Sequence, residues 1–250
     1  MKNPFSLKGK NIVITGASSG IGRQCAVSCS EMGANIVLIG RDEERLKETY
    51  SCLGNGNHLY HVLDITKYDE IEAVIEKSVQ KIGKISGFVH SAGKELTIPF
   101  NMMKSSVYED MFAVNVIAGL EFSRTISKKK YVDCPASFVF IASIMGSFGE
   151  IALSAYCSSK GAIINAVKSL AVELAQKQIR VNCISPGYIK DTPMIKKLDE
   201  KSGHLAQQQQ QHPLGLGKSV DVANASIYLL SDASRWVTGT NLIVDGGYSA

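Results

Sequence analysis

Asn11-Ile12-Val13-Ile14-Thr15-Gly16-Ala17-Ser18-Ser19-Gly20-Ile21-Gly22 is the stretch whose reading decides the fold. Its first five residues are largely apolar and β-branched, and they predict a short buried strand. Three glycines follow in Gly-x3-Gly-x-Gly spacing, and a helical pattern then runs to about Met32. Strand, glycine loop and helix in that order suit a pyrophosphate. Glycine permits the tight turn and a close backbone approach, and the helix N-terminus offers N–H groups and the positive end of a dipole. The spacing departs from the commoner G-x-G-x-x-G, so the loop's place between strand and helix carries more weight than its composition.

Working outward, apolar runs predict further strands over 35–39, 58–63, 87–90, 137–142, 180–184 and 241–244. Between them, helical periodicity predicts helices over 43–53, 67–82, 104–128, 154–176 and 220–231. Strands alternating with helices of this length predict an α/β fold, a doubly wound parallel sheet of about seven strands with helices on both faces. Right-handed crossovers and a site at the carboxyl ends of the strands follow. No linker or repeat interrupts the chain, which reads as a single domain over 1–250. The exception to the rhythm is 191–217, with a glutamine run from Gln207 to Gln211 before His212-Pro213. A disordered insert is one reading. A helical substrate lid is the other, preferred because glutamine is a fair helix former and the segment follows a strand on the ligand side.

Composition narrows the class. The chain of 250 residues is 45% hydrophobic and 20% charged, with a formal net charge of +4. The positive residues form no long tract, so nucleic acid is not expected as a partner. No apolar run approaches the roughly 20 residues that span a bilayer, and residues 1–10 hold no apolar signal core. A cytoplasmic protein is expected. Cysteines at 25, 29, 52, 134, 157 and 183 form no C-x-x-C pair, and no metal site is expected. They read as small buried apolar residues.

Chemistry enters at Tyr156-Cys157-Ser158-Ser159-Lys160. Residues four apart share a helix face, so Tyr156 and Lys160 stand side by side. A phenol titrates near 10, and a neighbouring ammonium favours the phenolate and lowers that value. Such a pair can hand a proton to a carbonyl oxygen or take one from a hydroxyl. Alone, the spacing favours an ordinary helix with a surface lysine and a half-buried tyrosine.

Taken with the other pieces, the chain resembles the short-chain dehydrogenase/reductase family in its branch of about this length, from Gly9 to Gly247, and within it the 3-oxoacyl-acyl-carrier-protein reductases. The matching residues are Thr15-Gly16-x3-Gly20-Ile21-Gly22, Asp64, Ala92-Gly93, Asn115, Ser143, Tyr156, Lys160 and Pro186-Gly187. The resemblance implies a Rossmann-type fold and a hydride-transferring enzyme. Tyr156 would be the acid–base group and Ser143 would hold the substrate oxygen. Lys160 would lower the tyrosine pKa and bind the nicotinamide ribose. Asn115 would kink its helix and hold a water for proton relay.

Cofactor contacts are implied at Gly16, Ser18, Ser19, Gly20, Ile21, Gly22, Arg41, Asp64, Ile65, Ala92, Gly93, Tyr156, Lys160, Pro186, Gly187, Ile189 and Thr192. Gly40-Arg41 at the end of the second strand favours NADP(H), since an NAD-selective site puts a carboxylate there. Arg41 offers a fork of donors to a 2′-phosphate. NAD(H) stays as the alternative, because Ser19 is not basic and Asp42 follows Arg41.

The family's two asparagines before Ala-Gly are here His90-Ser91, and His90 reads as a hydrogen-bonded core residue. The threonine usual five residues after the proline is displaced: Asp191 stands there and Thr192 follows. Ile144, Met145, Phe148 and Ile151 suggest an apolar substrate wall, with Glu95 and Glu150 as polar candidates. The expected substrate is a small carbonyl or alcohol. A 3-oxoacyl thioester on an acyl carrier protein docked at Lys128-Lys129-Lys130 competes with a sugar, steroid or small alcohol. A non-catalytic dinucleotide sensor is the remote alternative. Apolar residues over more than one face of 104–128 and 154–176, among them Met111, Val114, Ile117, Leu120, Ile163, Val167, Leu170 and Leu174, predict a homotetramer.

Overall fold

The strands are β1 (Asn11–Thr15), β2 (Asn35–Gly40), β3 (Leu59–Val62), β4 (Ile85–His90), β5 (Val132–Ile141), β6 (Ile179–Pro186) and β7 (Asn241–Val244). They form one seven-stranded sheet in the order β3-β2-β1-β4-β5-β6-β7, with every pairing parallel. The computed structural model describes residues 3–195 and 205–250. Its helices are α1 (Gly20–Glu31), α2 (Glu43–Ser51), α3 (Tyr68–Ile82), α4 (Ser105–Phe112), α5 (Ala118–Ile126), α6 (Ser154–Leu174), α7 (Leu205–Gln211) and α8 (Ser219–Leu230).

Two cores follow from the strand period. Val13, Val37, Ile39, Phe138, Phe140 and Val181 point to one face, where α3, α5 and α6 pack. Their neighbours Ile12, Ile14, Ile36, Leu38, Val139 and Ile184 point to the other, where α1, α2 and α8 pack. Successive side chains leave a strand on opposite sides, and both sides here are covered, so the central strands are apolar throughout. The strand order reverses between β1 and β4. The loops leaving their carboxyl ends therefore diverge and open a crevice.

Several boundaries differ from the sequence reading for local reasons. β5 begins five residues before 137. Exposed Asp133, Cys134 and Pro135 conceal its start, and the register shifts between Ile85 and Gly87 of β4. The expected helix over 104–128 is α4 and α5 joined by a π-helical turn, Ala113–Ile117. The Tyr68 hydroxyl donates to the Ala113 carbonyl in that turn, at 3.2 Å. The glutamine run of the expected lid lies in α7, whereas residues 196–204 of that segment lie outside the described residues.

Half of the residues named for self-association are internal. Met111, Ile163, Val167 and Leu174 are buried within the monomer, because α6 packs against the sheet and also against α4 and the π turn. Ile117 stays exposed, and so does Val172 on α6.

Phe88 on β4 anchors the first core. It is fully buried, stacks on Phe122 at 5.6 Å, and meets Phe138 and Phe140 edge-on at 5.9 and 6.1 Å. Phe88→Ala is expected to cost about 3–5 kcal/mol of stability, from lost transfer energy and the cavity left behind. A urea titration should show a lower midpoint with an unchanged slope.

Candidate active site

The glycine loop closes tightly against the end of β4. Gly16 has φ +67°, and a Cβ there would lie 2.7 Å from the Ala92 Cα. A Cβ on Gly22 would lie 2.3 Å from the Gly16 carbonyl oxygen. Only glycine lets these backbones approach. The N-terminus of α1 carries no acidic residue, and Ser19 makes no side-chain cap. Its first-turn N–H groups are therefore presented to an anion. A cavity of about 360 Å³ opens there, with Ser18, Ser19, Gly20, Arg23, Arg45 and Asp191 in its wall. Arg23, which the sequence reading passed over, donates to the Ser18 carbonyl at 2.9 Å and pairs with Glu48 at 2.9 Å.

Gly40 faces this loop. A Cβ on it would stand 3.5 Å from Ser18 Cβ and 3.2 Å from Leu46 Cδ2. Arg41 is exposed beside it. Asp42 caps α2, accepting from the Arg45 N–H at 3.1 Å and pairing with its Nε at 3.4 Å. Asp64 accepts from the Thr66 N–H and hydroxyl, at 3.1 and 2.8 Å. These bonds hold its carboxyl below the usual value against partial burial, and the Arg41 charge adds to them. Ile65 is buried next to it.

Across the crevice, β5 delivers Ser143 just past its carboxyl end, and the first two turns of α6 deliver Tyr156 and Lys160. Ser143 is buried, and its hydroxyl accepts from the Met145 N–H at 3.2 Å. The Lys160 ammonium donates to the Ile141 carbonyl at 2.8 Å and lies 5.6 Å from the centre of the Tyr156 ring. Burial pushes the Tyr156 phenol up to about 12, with Glu95 and Cys157 adding to it, while a hydrogen bond with Ser143 pulls it down. Burial also depresses Lys160 to about 8. Desolvation thus outweighs the attraction expected between them, and the phenol stays protonated at neutral pH.

Asn115 sits in the π turn, fully buried. Its side chain accepts from the Lys94 N–H at 2.9 Å and donates to the Lys94 carbonyl at 3.0 Å and to Ser159 Oγ at 3.0 Å. The Ser159 hydroxyl in turn donates to the Tyr156 carbonyl at 2.8 Å. A Cβ on Gly93 would lie 3.5 Å from both Asn115 Oδ1 and Lys160 Nζ, so the Ala92-Gly93 loop passes directly over this cluster. Ser159 and the Lys94 backbone carry no signal in sequence beyond their neighbours.

The remaining wall follows β6. Pro186 ends the strand, and the Gly187 N–H donates to Val244. Ile189 is buried and bridges to Gly217. The Asp191 carboxylate accepts from the Ser219 N–H and hydroxyl, both at 2.8 Å, at the start of α8. Thr192 is buried against Gly20, with its Cβ 3.5 Å from a Cβ built there. Ile144, expected in a substrate wall, is buried beneath the site, whereas Phe148 and Ile151 are exposed.

Comparison with known proteins agrees with this arrangement. A family profile described as "Enoyl-(Acyl carrier protein) reductase" matches residues 16–249. The chain is 34% identical over 246 residues to the 3-oxoacyl-(acyl-carrier-protein) reductase FabG of Thermotoga maritima, covering 96% of this chain and 98% of that protein. It is 32% identical to the 5-keto-D-gluconate 5-reductase of Escherichia coli, covering 99% and 98%. A solved short-chain dehydrogenase/reductase from Brucella melitensis, described as a glucose/ribitol dehydrogenase, superposes with a TM-score of 0.92 at 30% identity over the full length of both chains. The chain belongs to the short-chain dehydrogenase/reductase family. It is accordingly an NAD(P)-dependent oxidoreductase acting on CH–OH groups.

Within this short-chain dehydrogenase/reductase, His90 is the departure with an electrostatic consequence. It is buried at the end of β4, with Nδ1 2.9 Å from the Thr15 hydroxyl. Its Nε2 is buried without a partner in hydrogen-bond geometry among the described residues, on the side of the π turn, where backbone groups of Asn115 and Val114 act on it. Burial, helped by the Lys160 charge, lowers the imidazole from 6.5 to about 4. Between those values the unfolded chain binds the extra proton. His90 therefore contributes full stability above about pH 6.5 and loses it as pH falls toward 4. Between pH 7 and 4.5 the wild type is expected to lose about 2–3 kcal/mol more than His90→Asn. Urea titrations of both proteins at the two pH values measure the difference.

Proposed function

We propose that the protein is a cytoplasmic oxidoreductase interconverting a carbonyl and a secondary alcohol with NADP(H), through Ser143, Tyr156, Lys160 and Asn115. The observation that carries this reading is the meeting of these side chains at the carboxyl end of the sheet, beside the glycine loop. Gly16, Ser18, Ser19, Gly20, Ile21 and Gly22 would hold the cofactor's phosphates, Asp64 and Ile65 its adenine. Ala92, Gly93, Pro186, Gly187, Ile189 and Thr192 would hold the nicotinamide half. A bound nicotinamide cofactor supplies the hydride.

The chain's own residues do the rest. Tyr156, protonated below about 12, donates its proton to the carbonyl oxygen in reduction and takes one back in oxidation. Ser143 holds that oxygen beside the phenol. Lys160, mostly charged at neutral pH, stabilises the negative charge that develops there. Asn115 keeps the loop at Lys94 and the turn at Ser159 fixed around them.

The NADP(H) preference is supported by what surrounds Gly40. No carboxylate occupies that position, Asp42 is engaged as the α2 cap, and Arg41 is exposed beside Asp64. For the substrate, relatives in this family include a 3-oxoacyl reductase and a keto-sugar-acid reductase. A 3-oxoacyl thioester fits the apolar Phe148 and Ile151. A polyhydroxy ketone is favoured by the Glu95 carboxylate, which acts on Tyr156. Docking of an acyl carrier protein at Lys128-Lys129-Lys130 is the weaker reading, since Lys128 and Lys130 both pair with Glu72, at 2.6 and 3.0 Å. α7 would serve as part of a substrate lid. A homotetramer would cover the exposed Ile117 and Val172, on the helices that the family pairs.

The test is a panel of 3-oxoacyl thioesters and polyhydroxy ketones assayed with both reduced cofactors. No turnover on any ketone would sink the reading. Tyr156→Phe is expected to cut turnover roughly 100- to 10,000-fold with cofactor affinity kept, because only the proton donor is removed. Single-turnover rates beside cofactor titrations separate the two effects. Arg41→Ala is expected to weaken NADPH roughly ten- to hundredfold and leave NADH nearly unchanged. Equal losses for both cofactors, measured by fluorescence titration, would overturn the NADP(H) assignment.

A further inference from the structure

We propose that His212 is a positioning residue for the nicotinamide side of the site, a role that rests on reading Pro186, Gly187 and Ile189 as cofactor contacts. His212 follows α7 directly and is 3% exposed. The Tyr188 backbone N–H approaches its Nε2 at 3.2 Å. A backbone amide can only donate, so Nε2 must accept. Nδ1 then carries the ring proton and donates it to the Gln208 carbonyl, at 2.7 Å. One neutral tautomer of one side chain thus joins the last turn of α7 to the residue after Gly187.

The ring is also packed from both sides. It lies against Tyr248, with centroids 4.9 Å apart and planes tilted 39°. On the other side it takes the space a side chain at 187 would need. A Cβ on Gly187 would stand 2.9 Å from Nε2 and 2.9 Å from the Asp245 Cα. The loop at 187–190 is also held by backbone pairing and by the Thr192 hydroxyl, which donates to the Ile189 carbonyl at 3.0 Å. Gly187 donates to Val244, Gly217 donates to Tyr188, and Lys190 donates to Gly217, each at 3.0 Å. His212 supplies a side-chain acceptor in the middle of that pairing. Deleting it leaves a partly buried N–H without this partner and frees the loop to shift at the point where the carboxamide end of a dinucleotide would meet it.

Two variants separate positioning from general packing. His212→Phe keeps a ring against Tyr248 and removes both nitrogens. His212→Gln keeps an amide oxygen able to reach the place of Nε2. Binding of NADPH and of adenosine 2′,5′-bisphosphate, which lacks the nicotinamide half, would be measured by calorimetry. His212→Phe is expected to weaken NADPH about tenfold, equivalent to about 1.4 kcal/mol, and to leave the fragment unchanged. His212→Gln is expected to restore most of the loss. Equal weakening of dinucleotide and fragment, or unchanged NADPH affinity in His212→Phe, overturns the inference. Wild-type protein that binds neither molecule overturns the reading of the site and this inference with it. Wild type that binds both while His212→Phe is unaffected overturns this inference alone. Nitrogen-15 spectra of the wild type give a measurement that needs no variant of uncertain folding. A neutral ring protonated on Nδ1 supports the proposal, and one protonated on Nε2 contradicts it.

Discussion

The side-chain amide of Asn115 is the contact on which the site's geometry depends. It closes both hydrogen bonds of the Lys94 peptide groups and still donates to Ser159. Three separate pieces of chain, the π turn, the loop after β4 and the second turn of α6, are thereby fixed to one buried group. An amide carries a donor and an acceptor in one plane, which neither a carboxylate nor a hydroxyl of similar size reproduces. The π turn is what places it there. An extra residue in one turn rotates Asn115 inward, and such turns recur at functional sites.

Much of this was legible in sequence, though unevenly. The Asn11–Thr15 run and the glycines after it were readable because burial on both sheet faces leaves an unbroken apolar word, and because glycine is demanded where backbones nearly touch. The side-by-side placement of Tyr156 and Lys160 was readable from helical spacing, and the grouping of Ser143 and Asn115 with them only through the family resemblance. What escaped has physical causes. The start of β5 hides behind exposed polar residues and a proline. The π turn has no residue signature of its own. The apolar residues along the two long helices were read as covering more than one face, and sequence could not tell which of them, half of those named, line the monomer's interior. Asp191 stands where the family places its threonine, and its carboxylate accepts from Ser219 at the start of α8, a partner that spacing alone does not reveal.

The electrostatics of the pair also ran against expectation. Proximity alone argues that an ammonium lowers a phenol. Here both groups lie in the same low-dielectric pocket, and each is pushed toward its neutral form by burial. The result is a tyrosine held as an acid and a lysine whose charge is sensitive to its surroundings. His90, placed close enough to feel that lysine, is kept neutral by the same dryness.

Gly40 carries a consequence for what can replace it in this lineage. A carboxylate there would have to begin from a Cβ 3.2 Å from Leu46, a fully buried residue in the core beneath α2. A substitution at Gly40 is therefore tied to the packing behind it, because the end of the Leu46 side chain has to give by a few tenths of an ångström. A smaller residue at 46 would open that room before an acidic side chain arrives at 40. The tolerance of this surface position is thus set by the hydrophobic interior beside it.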